Sequence, residues 1–118
     1  MLPMSNRVVI TGLGIYSCLG TNKDAVRDAL FQGKSGIVLV PERKAIGYRS
    51  ALSGIVPRPD LKKLLDRRSR IMMPEQAEYA YMATLEALEQ AGLDNDFIHQ
   101  NETGIIYGND SAAQPTIE

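Results

Sequence analysis

Short apolar runs alternate with longer polar stretches along this chain of 118 residues. The first run centres on Val9 and is closed by Gly12, and a second spans residues 104–108. A continuous apolar run of this length is typical of a strand buried on both faces, as in a parallel sheet. We therefore predict buried strands at residues 7–11 and 104–108.

Two segments instead carry apolar residues at helical spacing. A first helix is predicted over residues 23–32, because Asn22 suits the N-cap and Gly33 suits the position after the last turn. A longer helix is predicted over residues 74–91, with proline at its start and Gly92 at its end. Their apolar stripes repeat every three or four residues: Val26, Ala29 and Leu30 in the first, and Ala77, Tyr81, Leu85 and Leu88 in the second.

The segment between the two helices is less regular. Residues 37–40 and 51–56 are each apolar enough to predict a short strand, and the prolines at 57 and 59 exclude regular structure across residues 57–59. Asp60 can cap a short helix, and a loop rich in aspartate and asparagine precedes residues 104–108. The order of strand, helix, excursion, helix and strand predicts a layered α/β domain with parallel strands.

The polar tail after residue 108 bears on domain organisation. Two parallel strands with an uncovered edge would form a poorly stabilised sheet. We therefore expect residues 1–118 to be part of a larger fold.

Composition narrows the function classes. The chain is 44% hydrophobic and 23% charged, which is typical of a soluble globular protein. A net charge of −1 offers no general attraction to nucleic acid or to an anionic membrane. No segment resembles a signal peptide or a membrane span, so a soluble cytoplasmic protein is predicted, and the one cysteine excludes an intrachain disulfide.

Candidate catalytic and cofactor motifs are weak. Gly12 and Gly14 follow a predicted strand as in a dinucleotide fingerprint, but Ser17 replaces the third glycine and the helix begins too late to receive a pyrophosphate. Cys18 lacks a neighbouring base by sequence, and we expect it to be a small packed residue. His99 is expected at the surface in a polar loop, and no ligand spacing indicates a metal site.

One charge cluster stands out. Arg67, Arg68 and Arg70 follow the predicted short helix, with Lys62 and Lys63 just upstream. The cluster is either a solvated helix end or a docking site for a phosphate or an acidic protein surface, because arginine suits bidentate contacts with both.

Several segments resemble β-ketoacyl synthases of the fatty-acid and polyketide type. The matching segments are residues 8–15, 17–20, 30–37, 47–50, 54, 66–68, 72–73, 87–93 and 104–108. They cover nearly the whole chain, and their order and spacing are most similar to the branch that includes the elongating β-ketoacyl-acyl-carrier-protein synthases I and II.

The resemblance implies a fold and a reaction. The fold is the thiolase-like one, a layered α/β structure of two related halves that is usually dimeric, and this chain is the N-terminal part of the first half. The reaction is decarboxylative Claisen condensation of an acyl thioester with malonyl-carrier protein, by a cysteine nucleophile, two histidines and oxyanion-binding backbone N–H groups. No metal or nucleotide cofactor is implied.

The same resemblance locates the catalytic residues outside this sequence. The family's nucleophile and both histidines lie beyond position 118. Cys18 falls in the opening turn, where relatives carry small residues, and His99 matches neither histidine. We expect residues 1–118 to be an N-terminal fragment of a synthase domain, truncated before the catalytic cysteine and inactive alone.

Two sites follow from the resemblance. Arg67 and Arg68 match a basic cluster that receives the acidic helix of acyl carrier protein, and Arg70 stands beside Ile71, which occupies a further basic position of the family. The resemblance also implies that the loop after Gly108 borders the acyl pocket near the dimer interface. The pocket edge then consists of three residues, of which the third would gate chain length: Asn109, Asp110 and Ser111.

Alternatives remain open. Relatives commonly carry glycine and small residues where this chain has Asn109 and Asp110, which indicates an unusual substrate, a non-catalytic family member or simply a polar surface loop. A non-catalytic pairing or interaction module, similar to a chain-length factor, is the alternative to a synthase. In either case the parent protein would form a homodimer or pair with a related subunit.

Overall fold

The computed structural model describes residues 6–110. This part of the chain contains five α-helices, two short strands and one 3₁₀ turn. In chain order they are α1 (Lys23–Phe31), β1 (Ile37–Leu39), α2 (Pro41–Ala45), β2 (Leu52–Gly54), the 3₁₀ turn (Leu61–Lys63), α3 (Arg67–Ile71), α4 (Glu75–Ala91) and α5 (Asn95–Gln100).

The helices α1 and α4 confirm the two helical predictions to within a residue at each end. Asn22 caps α1, where its Oδ1 accepts a hydrogen bond of 2.8 Å from the backbone N–H of Ala25. Gly33 follows α1 with a φ of 63°, and Gly92 ends α4 with a φ of 68°. Both glycines adopt the left-handed conformation that ends many helices, which non-glycine residues rarely adopt.

The two short strands lie where they were predicted, and they pair with each other. β1 and β2 pair antiparallel, with Ile37 opposite Gly54 and Leu39 opposite Leu52. The connection between them is short and holds only the single helical turn of α2, whereas a parallel pair needs a crossover of a dozen or more residues. The α/β character is therefore confirmed, and the described pair is antiparallel, whereas the parallel arrangement was predicted for residues 7–11 and 104–108.

The strands predicted at residues 7–11 and 104–108 are absent from the described structure. Ile10 is 90% exposed and Ile106 is fully exposed, and no described strand lies beside either segment. A strand needs a neighbour to satisfy its backbone N–H and C=O groups, and β1 and β2 use their pairing on each other. The apolar pattern alone could not supply that neighbour.

Two further short helices lie in segments predicted to be irregular. Pro41 begins α2, a position in which the missing N–H of proline costs nothing. Asp94 caps α5, since its Oδ1 accepts a hydrogen bond of 2.8 Å from the N–H of Phe97. The aspartate and asparagine before residue 104 therefore start a helix, and the predicted loop was wrong there.

The core of the described residues is small. Its buried apolar side chains are Val26, Ala29, Ala51 and Leu61. Leu61 begins the 3₁₀ turn, which Asp60 caps by accepting from the N–H of Lys62 at 3.0 Å. Within residues 6–110 no helix is both long and apolar enough to cross a membrane.

Candidate functional site

The glycine turn at the start of the chain lies against the backbone of α4. A Cβ added at Gly12 would overlap the carbonyl oxygen of Ala87, and one added at Gly14 would overlap that of Ala83. Neither glycine has a positive φ, so their role is close approach and not unusual backbone conformation. This contact with a helix side explains the glycines without a bound pyrophosphate.

Glu86 on α4 fixes this turn and the start of α1. One carboxylate oxygen accepts from the N–H of Ile15 at 2.9 Å, and the other accepts from the N–H of Lys23 at 2.8 Å. The Lys23 ammonium lies 3.7 Å away. Burial alone would raise the pKa of Glu86, but the hydrogen bonds from Lys23 and Ile15 and the Lys23 charge outweigh it and lower the pKa.

A second carboxylate, Glu78, lies in the first turn of α4 and is buried, with 7% exposure. Arg58 donates to its two oxygens at 2.7 and 3.0 Å, in a bidentate pair. That hydrogen bonding raises the pKa of Arg58. The pair ties the extended segment around Pro57 and Pro59 to α4.

Two tyrosines pack between these carboxylates. The rings of Tyr16 and Tyr79 stack with centroids 5.6 Å apart. The Tyr79 hydroxyl donates to the carbonyl of Val56 at 3.5 Å, and burial raises the pKa of Tyr79. The opening turn and the segment before Arg58 therefore share one face of α4.

The predicted basic cluster forms α3. Asp66 caps this helix by accepting from the N–H of Ser69 at 2.7 Å, which lowers the pKa of Asp66. Arg67 and Arg68 are exposed, and neither has an ion-pair partner within residues 6–110. Arg70 is half-buried and donates through Nε to the carbonyl of Leu65 at 3.1 Å.

The structure adds two cations to this cluster. Arg58 and Lys62 line the same pocket as Arg67 and Arg70, a depression with a volume of about 390 Å³. Arg68 does not line it. The participation of Arg58 was missed from the sequence, because it lies nine positions before Arg67 and its flanking prolines indicated only irregular structure.

Cys18 and His99 occupy unrelated positions. Cys18 is half-buried, as expected, and its Sγ would lie 2.7 Å from a Cβ at Gly36 and 3.0 Å from one at Gly54. The thiol thus fills the space that these two glycines leave beside β1 and β2. His99 is exposed, as expected, but on the last turn of α5 and not in a loop.

The predicted pocket edge lies at the limit of the described residues. Asn109 and Asp110 follow the segment 104–108 and are exposed, and Ser111 lies outside the described residues. The nearest contact shown for this segment is from Tyr107, whose hydroxyl donates to the carbonyl of Gln76 at 3.2 Å. Tyr107 therefore attaches the segment before Asn109 to the start of α4.

Comparison with known proteins identifies similar sequences over nearly the whole chain. The family model described as "Beta-ketoacyl synthase, N-terminal domain" matches residues 5–118. The chain is 40% identical over 102 residues to 3-oxoacyl-[acyl-carrier-protein] synthase 1 of Haemophilus influenzae, a match covering 86% of this chain and 25% of that protein.

Two further relatives have similar names. The synthase 1 of Escherichia coli K12 is 38% identical over 103 residues, covering 86% of this chain and 25% of its own length. A 3-oxoacyl-[acyl-carrier-protein] synthase 2 of Vibrio cholerae is 27% identical over 112 residues, covering 95% and 27%. The chain spans about a quarter of the length of these relatives.

Proposed function

Because the chain belongs to the β-ketoacyl synthase family, whose N-terminal domain it matches from residue 5 to residue 118, we propose that it is the N-terminal portion of a 3-oxoacyl-[acyl-carrier-protein] synthase. The whole protein would condense an acyl thioester with malonyl-carrier protein, with loss of carbon dioxide, in fatty-acid or polyketide synthesis. The identity of 40% to a protein named as such a synthase is the observation that carries this proposal.

We place the nucleophile and both histidines of the whole protein outside residues 1–118. Cys18 lies beside Gly36 and Gly54, and His99 lies on the short helix α5. Among the described contacts, neither side chain has a base or cation beside it that could activate it for acyl transfer. A thiol nucleophile needs an adjacent base or cation for activation. We expect residues 1–118 alone to show no condensing activity, and no metal or nucleotide is required of them.

The same family membership supports a finer proposal about the fold. The parent would have the thiolase-like layered α/β architecture, as a homodimer or paired with a related subunit, in the cytoplasm. Residues 7–11 and 104–108 would then become strands when neighbouring strands from the rest of the protein pair with them. Their exposed β-branched side chains support this, because such side chains favour a pleated, buried surface.

We place the docking of acyl carrier protein on α3, through Arg67, Arg68 and Arg70. Arg67 and Arg68 are exposed cations without an ion pair among the described residues, which suits them to bind an acidic surface. The acyl-pocket edge is assigned to Asn109, Asp110 and Ser111, which follow the second of the two exposed apolar segments. Their polar character favours a substrate other than a long unsubstituted acyl chain.

Carrier-protein binding by this chain tests the docking proposal. We expect saturable binding that weakens with salt and that the double reversal Arg67→Glu/Arg68→Glu abolishes. A matched control, Lys34→Glu/Arg49→Glu, makes the same charge change at exposed residues outside α3 and should leave binding within about twofold. Equal losses in both variants, or binding untouched by the first, would contradict docking on α3.

A further inference from the structure

The pocket between the 3₁₀ turn and α3 is lined mainly by cationic side chains. Four cationic and two anionic side chains line it, so the lining has a net charge of two positive: Arg58, Lys62, Arg67 and Arg70 against Asp60 and Glu78. Its volume of about 390 Å³ lies in the range of small-ligand pockets, roughly 300–1,000 Å³. The excess of cations in one depression indicates a site for an anion.

Both carboxylates in the lining are already engaged by other groups. Glu78 accepts two hydrogen bonds from Arg58, at 2.7 and 3.0 Å. Asp60 uses its Oδ1 to accept from the backbone N–H of Lys62 at 3.0 Å. The side chains of Lys62 and Arg67 are left without an ion pair within residues 6–110, and their charge is available to a ligand.

The two remaining arginines are held in place before any ligand arrives. Arg58 is fixed by its bidentate pair with the buried carboxylate of Glu78 and lies 3.8 Å from the carboxylate of Glu75. Arg70 is fixed by its Nε–H, which donates to the carbonyl of Leu65 at 3.1 Å. Each has further N–H donors beyond those bonds, because a guanidinium carries five. Prior fixation reduces the entropy that binding would otherwise cost.

We propose that this pocket binds a tetrahedral phosphate dianion, either free phosphate or a phosphate monoester, through Lys62, Arg67, Arg58 and Arg70. Two net positive charges favour a dianion over a carboxylate, and the planar guanidinium fork matches phosphate oxygens in pairs. The proposal shares Arg67 and Arg70 with the docking of a carrier protein but can be tested separately, because the phosphate site needs Lys62, which docking does not, and does not use Arg68.

Calorimetric titration of the whole 118-residue chain with inorganic phosphate tests the site. We expect one saturable equivalent per chain, weakened at least about tenfold in Lys62→Ala/Arg67→Ala. The control Lys63→Ala/Arg68→Ala removes the same charge from adjacent residues outside the pocket and should change the affinity less than about twofold. Equal weakening in the two variants would reduce the site to diffuse attraction and overturn the proposal.

Two additional measurements make the test independent of the folding of the variants. In the ¹⁵N-labelled wild type, phosphate should shift amide signals within residues 58–71, and shifts spread over the chain would overturn the proposal. Acetate at the same ionic strength should bind at least about tenfold more weakly, and equal binding would also overturn it. Glycerol phosphate, titrated in the same way, distinguishes a site for esters from one restricted to the free ion.

The outcomes separate this proposal from carrier docking. Phosphate binding that survives Lys63→Ala/Arg68→Ala, in a chain that binds no carrier protein, supports the pocket and contradicts docking on α3. Carrier binding that depends on Arg68, in a chain that binds no phosphate, does the reverse.

Discussion

Single carboxylates on α4 hold the first part of this chain in place. Glu86 receives two backbone N–H groups that no β-strand partner or helix satisfies, and Glu78 receives the guanidinium of Arg58. Buried backbone donors without acceptors are costly, so a side chain that accepts two of them replaces regular secondary structure at that point. The residues that organise the described fold are therefore polar as well as apolar.

Replacing Glu86 with glutamine should lower the free energy of unfolding by about 1–3 kcal/mol at neutral pH, because the amide can accept at one position only and carries no charge opposite Lys23. Urea denaturation followed by circular dichroism measures it. Glu89→Gln is the control, since Glu89 is exposed on the same helix. A loss of similar size in both variants would contradict a specific role for Glu86.

The lowered pKa of Glu86 adds a pH dependence to that difference. A group whose pKa is lower in the folded state stabilises the fold above its unfolded-state pKa, and this contribution disappears as the pH falls through the folded-state pKa. The difference in free energy of unfolding between wild type and Glu86→Gln should therefore be constant near neutral pH. It should decrease as the pH falls through and below the pKa of an unperturbed glutamate. A gap that widens on acidification would contradict this interpretation.

At the scale of elements, the two long helices α1 and α4 were predictable from sequence, whereas the short helices α2 and α5 and the strand arrangement were not. Asn22 begins α1, and Gly33 and Gly92 end α1 and α4. Each acts within a few residues of its helix, so the local sequence was sufficient to predict these helix ends. Residues 7–11 have an equally clear apolar pattern, yet a strand depends on a partner that can lie anywhere in the chain. The antiparallel pairing of β1 with β2 follows from their short connection, whereas the βαβ interpretation concerned residues 7–11 and 104–108.

The candidate site divides in the same way. The cluster at Arg67, Arg68 and Arg70 was visible as a run of like charges, but its pocket depends on Arg58, which Glu78 brings in from the preceding segment. Glu78 shares a face of α4 with Tyr81, Met82 and Leu85, and a carboxylate beside three large side chains was the available signal. No spacing in the sequence indicated which of the arginines would pair with it.

Packing of the opening turn on α4 gives a prediction at this scale. Gly14→Ala should destabilise the fold by at least about 1–3 kcal/mol, because the added methyl would overlap the carbonyl oxygen of Ala83 and push the turn away from α4. The thermal midpoint measured by circular dichroism reports the change. Gly104→Ala is the matched control, since no neighbouring atom lies within 4 Å of its added Cβ. A comparable fall in thermal midpoint in this control would contradict the role of close approach.

The described part of the chain is elongated for its length. Its radius of gyration is 18.3 Å, whereas a compact chain of this size has about 13–14 Å. Large apolar side chains stay exposed on both flanking segments, including Ile10 and Ile106. Exposed apolar segments with unpaired backbone groups are templates for pairing with another chain.

We accordingly expect the isolated chain to self-associate at tens of micromolar in sedimentation velocity. Ile10→Lys/Ile106→Lys should weaken this association at least about tenfold, because charges on both segments oppose strand pairing between copies. Ile46→Lys/Met72→Lys makes the same change at exposed apolar residues elsewhere and should have little effect. Association lost only in the second variant would place the contact outside the two segments.

The hydrogen bonds between the opening turn and α4 also fix an order of events during synthesis. Leu13 donates to Gln90, 77 residues later, and Ile15 to Glu86, 71 residues later. A ribosome adds about 5–20 residues per second, so the opening turn waits about 4–15 s before its last acceptor exists. During that interval the helix α4, on which the turn packs in the described structure, has not been completed. The end of the chain that emerges first is consequently among the last parts to be held in place.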